Sequence, residues 1–428
     1  MRTHLVNKFY MKNKFNIQAI VNSDDNYFDR QERISWWSQE SLKKAKVMVV
    51  GAGAIGNETL KNLALLGVGN IFIVDFDTVS TSNLSRTVLF RKNDVGKKKA
   101  EVAAERTKEL CLAEDVRIDW FHGDVVWDLG TGLFNEMDII LGCLDNVETR
   151  FAVNRQALLT NKPFIDAGIN ELGARVNVYK PSKDFACYEC NASEEQLKAI
   201  RIRYSCDDVK RAFVAEGKVP TVQVASALVS AIQVQETIKI LCGQEASVGK
   251  QIYFQGKIND FDVISLPVNP NCQVHDLRYE NIIELPLMNN CSLRDFLMYV
   301  SRQDLSGVGC ELDFSGDRTF IKSMSCRNCK NSIDFYMPSF RILDSDIICQ
   351  NCKNQGANKP LDSDIPVDKE VITTFSLNLT SDLVLNMNLF DLGIPYLHVL
   401  AVVSNNGLYK YYSLAADKNI ILHNISNN

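Results

Sequence analysis

Apolar residues run unbroken from Val47 to Val50 and stop at a cluster of glycines, VMVVGAGAIG. The next stretch, TLKNLALLGVG, places its apolar residues at helical spacing and ends on glycine, and NIFIVDFD is apolar again up to Asp77. Residues 47 to 77 therefore predict a strand, a helix and a strand, one parallel crossover unit. The alternation continues through GKKKAEVAAERTKEL (helix), VRIDWFHG (strand), MDIILGCLDN (strand), VETRFAVNRQALLTN (helix) and PFIDAGI (strand). Strands alternating with helices predict an α/β domain with a mostly parallel sheet covered on both faces.

Ahead of this domain, residues 27–46 read as a charged, aromatic helix, so 1–46 is assigned as an N-terminal helical segment. VPTVQVASALVSAIQVQETIKILCG reads as a long, nearly all-apolar helix closed by Gly243, buried in the core or against a partner. After residue 276 the pattern changes to β-like runs and polar turns, with a charged, cysteine-bearing stretch inside it. This predicts two domains, 47–276 and a smaller α+β domain at 277–428.

Composition agrees with more than one core, since 428 residues at 46% hydrophobic content exceed what a single core usually serves. A net charge of -5 argues against nucleic acid as the main partner. The first twenty residues are basic without an apolar signal core, and no run of about 18 apolar residues occurs anywhere. The chain is expected to be soluble and cytoplasmic, without a membrane partner. Thirteen cysteines in that setting suggest metal ligation or thiol chemistry rather than a disulfide frame.

Gly51, Gly53 and Gly56 form G-x-G-x-x-G directly between a strand and a helix, a Rossmann-like arrangement that lets backbone approach a phosphate and aims helix N–H groups at it. Asp75 ends the following strand, where its carboxylate can accept from ribose hydroxyls. By themselves these residues favour a nicotinamide-dependent oxidoreductase. Three further blocks, VDFDTVSTSNLSRTVLF, VGKKKAE and CLDNVETR, change the picture. Together with the glycine block, in matching order over residues 27 to 275, they resemble the ThiF-type family, which includes ubiquitin-activating and molybdopterin- and thiamine-synthesis adenylating enzymes.

That resemblance implies ATP as the nucleotide. Asp75 would bind ribose, Asp77, Asn83 and Arg86 would surround the triphosphate, Lys99 would sit on a phosphate, and Asp145 would hold Mg2+. Attack at the α-phosphorus expels pyrophosphate, so cations and a metal must offset the oxygens' charge, a need that hydride transfer does not have. Arg30, in YFDRQ, matches the family's arginine that reaches a neighbouring subunit's ATP, which implies a homodimer. Ala54 and Thr87 depart from the usual glycine and glutamine, and a methyl at 54 narrows the phosphate approach.

Cys187 and Cys190 stand where many family members have the first half of a structural Zn2+ site, and the resemblance makes Cys272 and His275 the second half, with histidine in place of the more usual cysteine. Cys326, Cys329, Cys349 and Cys352 form C-x-x-C, nineteen residues, C-x-x-C, the spacing of a zinc ribbon within 323–355, with a redox dithiol as the alternative. Cys206, in RYSCDDVKR, corresponds to the crossover loop (191–219) that carries the family's reactive cysteine. Arg201, Arg203, Lys210 and Arg211 favour its thiolate while Asp207 and Asp208 oppose it.

The function that the resemblance implies is ATP-dependent adenylation of the C-terminal carboxylate of a ubiquitin-like protein ending in glycine, followed by a thioester on Cys206. The runs ENIIELPL, SLRDFLMYV and LHVLAVVS suggest a β-grasp fold that would recruit a conjugating enzyme. A sulfur-carrier adenylyltransferase without the thioester step is the alternative within the family.

Overall fold

The computed structural model describes residues 26–197, 221–303, 310–314, 318–327, 329–342, 346, 349, 351–352, 367–404, 406–416 and 423–424. Strands β1 (Lys46–Val50), β2 (Asn70–Val74), β3 (Arg117–Phe121), β4 (Ile139–Gly142) and β5 (Phe164–Asn170) run parallel in the order β3-β2-β1-β4-β5. Alternate side chains of β1 enter opposite cores. Val47 and Val49 pack with the helices Ala54–Leu65, Lys99–Leu110 and Gln223–Leu241, while Met48 and Val50 pack with Thr131–Asn135 and Val147–Leu159. Burial on both faces explains why these strands read as continuous apolar runs.

The sheet is parallel only at its centre. A two-residue connection, Glu171 and Leu172, joins β5 to β6 (Gly173–Tyr179), too short for a parallel crossover, so the chain turns back. Strands β7 (Lys250–Gln255) and β8 (Asp260–Ser265) extend this antiparallel flank, and every residue of the edge strand β8 is exposed.

One sequence expectation needs correction. Residues 27–46 form two short helices, Asp29–Glu32 and Gln39–Lys44, because Ser38 caps the second by accepting the N–H of Ser41 at 3.2 Å. The Gln223–Leu241 helix is long and apolar enough to cross a membrane by length and composition, yet it lies against β5, β6 and the Ala54–Leu65 helix. Its buried face is partly polar: Ser226, Ser230, Gln233, Glu236 and Thr237 are all enclosed. Gln233 explains how, since its Nε2 donates to the carbonyls of Gly142 (3.1 Å) and Ile165 (2.9 Å) and its Oε1 accepts from Thr59 (2.9 Å). Gly243 follows the helix at φ +69, with its N–H on Ile240 and that of Gln244 on Lys239, a Schellman ending.

Beyond residue 276 lie β9 (Ile283–Glu284), β10 (Cys310–Asp313), β11 (Phe320–Cys326), β12 (Ser332–Pro338), β13 (Val367–Ile372), β14 (Thr374–Ser376), β15 (Val399–Ser404) and β16 (Tyr409–Ser413). They make a five-stranded sheet, β14-β10-β15-β16-β9, and a three-stranded one, β12-β11-β13. The helix Leu293–Gln303 lays Leu293, Phe296, Leu297 and Val300 on the larger sheet beside Leu312, Leu400 and Val402. The central pair of that sheet, β10 with β15, is antiparallel, so a β-grasp assignment rests on the sequence alone. The final strand, β17 (His423–Asn424), returns to the first sheet and pairs with the edge of β3.

Candidate nucleotide site and cysteine clusters

The carboxyl ends of β2, β1 and β4 bring Asp75, the glycine turn and Asp145 to one rim of the sheet, where the strand order reverses, with β2 and β3 on one side of β1 and β4 and β5 on the other. Gly51 adopts φ +96, and a Cβ there would lie 2.5 Å from the carbonyl oxygen of Cys143. A Cβ on Gly56 would lie 2.0 Å from the carbonyl oxygen of Gly51, so these two glycines close the turn on itself. Gly53 is different. A Cβ on it would meet no protein atom within 4 Å, which leaves open space against the first turn of the helix, room for a phosphate.

Asp75 is bound into that turn: Oδ2 accepts the N–H of Ala52 and Oδ1 that of Asp77, each at 2.7 Å. Burial pushes its carboxyl above the usual range, against the pull of Lys99 and of the two backbone donors. Lys99 is itself buried and donates through Nζ to Asp77 Oδ2 at 2.7 Å. Asn83 Oδ1 accepts the N–H of Ser80 at 2.9 Å and Arg86 donates to the carbonyl of Ser82 at 2.7 Å, so both brace the segment after β2. Thr87, buried, donates to the carbonyl of Asn83. Asp145 is exposed just ahead of Asn146, which caps the Val147–Leu159 helix by accepting the N–H of Thr149 at 2.8 Å.

Sequence reasoning passed over the residues that hold this rim together. Asn57 is fully buried and donates to the carbonyls of Ala52 (2.7 Å) and Gly53 (3.0 Å) while its Oδ1 accepts the N–H of Leu89 (3.0 Å). It therefore ties the glycine turn to the segment carrying Asn83 and Arg86. Arg150, buried, donates to Asp166 at 2.8 Å and to the carbonyl of Leu144, which fixes the approach to Asp145. Asn57 follows Gly56 directly, and its place next to the last glycine of the motif was the available signal.

Arg30 is exposed on the Asp29–Glu32 helix, which Gln31 anchors to the carbonyl of Leu66. Cys206 lies outside the described residues. Burial raises the Cys143 thiol to about 12 and the Cys291 thiol to about 11, which argues against either as a nucleophile.

Four residues converge beside the Val147–Leu159 helix. Cys187 Sγ lies 3.7 Å from Cys190 Sγ and 3.8 Å from Cys272 Sγ, and Cys190 Sγ lies 3.4 Å from His275 Nδ1. Zinc bonded to sulfur at about 2.3 Å and to nitrogen at about 2.0 Å sets tetrahedral edges of about 3.8 and 3.5 Å, which the three thiols and the Cys190–His275 pair match, while His275 does not come within 4.8 Å of all three sulfurs. His275 is buried and its Nε2 has no partner, which leaves Nδ1 as the atom facing the thiols. In the second set, Cys326, Cys329, Cys349 and Cys352, all four sulfur atoms lie within 4.8 Å of one another.

Comparison with known proteins places these features. The ThiF family model matches residues 28–274. SUMO-activating enzyme subunit 2 of Dictyostelium discoideum is 40% identical over 167 residues, 38% of this chain and 25% of that protein. The sulfur carrier protein ThiS adenylyltransferase of Escherichia coli K12 is 28% identical over 237 residues, 55% of this chain and 88% of that protein. Among solved structures, E. coli MccB with succinimide aligns at TM-score 0.48 and 25% identity, covering 59% of this chain and 74% of that one. The match thus spans a quarter of the SUMO-activating subunit but most of the ThiS enzyme. With more than half its length under one family model, this chain belongs to the ThiF family.

Proposed function

We propose that this protein binds ATP at the glycine turn and adenylates the C-terminal carboxylate of a small ubiquitin-like protein ending in glycine. The observation that carries the reading is the open side of Gly53 bordered by Asp75, Asp77 and buried Lys99 on one hydrogen-bonded rim. Asp75 accepts from ribose, backbone N–H groups behind Gly53 take phosphate oxygens, and Lys99 exchanges part of its pairing with Asp77 for the polyphosphate. Mg2+ held at Asp145 would offset charge on the departing pyrophosphate. Arg86, Asn83 and, from a second copy in a homodimer, Arg30 complete the positive surround.

Cys206 then takes the acyl group as a thioester: its thiolate attacks the carbonyl carbon of the acyl-adenylate, the C–O bond to phosphate breaks, and AMP leaves. The C-terminal region would pass the product to a conjugating enzyme. Zn2+ on Cys187, Cys190, Cys272 and His275 would join the segment after β6 to the segment after β8, a structural role. The chain's coverage of nearly all of the ThiS enzyme favours one second reading, adenylation for sulfur transfer with no thioester.

The test is an ATP-dependent adduct on a non-reducing gel, using small carrier proteins with a free C-terminal glycine. Wild type should form an adduct that thiol dissolves, and Cys206→Ser should lose it or form a thiol-resistant ester. Carrier-dependent turnover of ATP without any adduct would replace the thioester with the sulfur-transfer reading.

A further inference from the structure

We propose that Cys326, Cys329, Cys349 and Cys352 hold one zinc ion, and that this ion orders a ribbon whose base clamps the loop beside the nucleotide rim. The two halves of the site repeat one another in sequence, C-R-N-C-K at 326–330 and C-Q-N-C-K at 349–353. Cys326 and Cys352 sulfurs lie 3.8 Å apart and those of Cys329 and Cys349 3.3 Å apart. A four-thiolate zinc tetrahedron has edges of about 3.8 Å. The backbone of the first half turns tightly around its cysteine pair, where Lys330, at φ +59, donates its N–H to the carbonyl of Cys326 at 2.8 Å, and the N–H of Cys326 donates to Asn331 at 2.9 Å. That left-handed turn directly after the second cysteine brings both thiols to the same side.

Among the described residues, Phe320 ties one end of the ribbon to the core of the larger sheet, while the cluster nearer the cysteines is small. Ile321, Met324 and Ile342 are the buried members of its apolar cluster, a small core for three strands. At the opposite end of β11, Arg318 donates to the carbonyls of Val126 and Trp127, both at 3.1 Å, and to that of Gly393. The ring of Phe340 stacks on that of Trp127 at 4.7 Å between centroids. Val126 and Trp127 belong to the loop that follows β3, and the last residue of β3, Phe121, accepts the N–H of Asp75 at 3.2 Å. The cysteines at one end of the ribbon and the nucleotide rim at the other are thus joined through a single strand and one loop. Calling that rim a nucleotide site rests on the proposed function, whereas the zinc site and the clamp do not.

Metal analysis and hydrogen exchange on the full chain, purified without chelator, test both halves. Wild type should carry two zinc ions per chain, and Cys349→Ser with Cys352→Ser should carry one. In that variant the amides of 122–131 and 320–326 should exchange about tenfold faster, with little change in β1. Alkylation of wild type guards against a variant that merely misfolds: exposed Cys329 should resist iodoacetamide until zinc is withdrawn by a chelator. An unchanged zinc count in the double variant, or Cys329 alkylated at once in zinc-replete wild type, overturns the metal site. Disulfides among these four cysteines in the zinc-replete protein would also overturn it. Loss of one zinc with unaltered exchange at 122–131 overturns the clamp.

Discussion

Asp75 accepts the backbone N–H of Ala52 through Oδ2 at 2.7 Å, so the carboxylate proposed to hold ribose also shapes the glycine turn proposed to hold phosphate. Removing it acts twice. Asp75→Ala should weaken ATP binding about 10- to 100-fold, the worth of about 1.5–3 kcal/mol for hydrogen bonds to a charged acceptor. Calorimetric titration with ATP checks this, and an affinity equal to wild type in a folded variant would remove Asp75 from the site.

Asn57 makes a second prediction, about stability. Its three bonds are buried, and Asn57→Ala strands the N–H of Leu89 as well as two carbonyls. A cost of about 2–3 kcal/mol is expected. Urea unfolding should show a lower midpoint with an unchanged slope, and a loss below about 0.5 kcal/mol would mean water replaces the side chain.

Much of the nucleotide half was legible because it obeys local rules. Five strands, the glycine turn and Gly243 could each be placed from runs and spacings within about twenty residues. The antiparallel flank from β6 to β8 was not legible as such, since its sense depends on the two-residue connection at Glu171 and Leu172 rather than on strand composition. Asn57, Gln233 and Arg150 escaped for another reason: each bonds to partners far away in sequence, such as Leu89 or Ile165, which local spacing does not reveal. The polar groups of the Gln223–Leu241 helix were outweighed by its apolar majority. Cys187, Cys190, Cys272 and His275, paired through resemblance, do lie together.

His275 allows a test of that cluster that separates ligation from packing. His275→Cys should retain zinc, because a fourth thiolate is an equivalent donor, whereas His275→Ala should lose it or bind it at least tenfold more weakly. Competition with a chromogenic chelator reads the difference. Equal zinc retention in the alanine variant would mean that another ligand completes the site.

Acid should loosen the contact between the two halves of the chain. His398 Nδ1 lies 3.3 Å from the backbone N of Thr131, and burial, with the charge of Arg318 in support, holds its imidazole well below the ordinary histidine range. The unfolded chain binds this proton from about pH 6.5 downward and the folded chain does not. The contribution is therefore complete above about pH 6.5 and is lost as pH falls, by at most about 1.4 kcal/mol per pH unit. Stability measured at pH 7 and pH 5.5 should fall less in His398→Asn than in wild type, and equal pH slopes would exclude His398 as the source.

The central claim is that the rim formed by Gly53, Asp75, Lys99 and Asp145 adenylates a carboxylate, and ATP–pyrophosphate exchange measures that step alone. Wild-type protein with Mg2+ and a small carrier ending in free glycine should return labelled pyrophosphate to ATP, none without carrier, and Asp145→Ala should lower the rate by at least about 100-fold, since it leaves polyphosphate charge uncompensated. Exchange that is independent of any carrier, or that continues at the wild-type rate in a folded Asp145→Ala protein, would contradict the account.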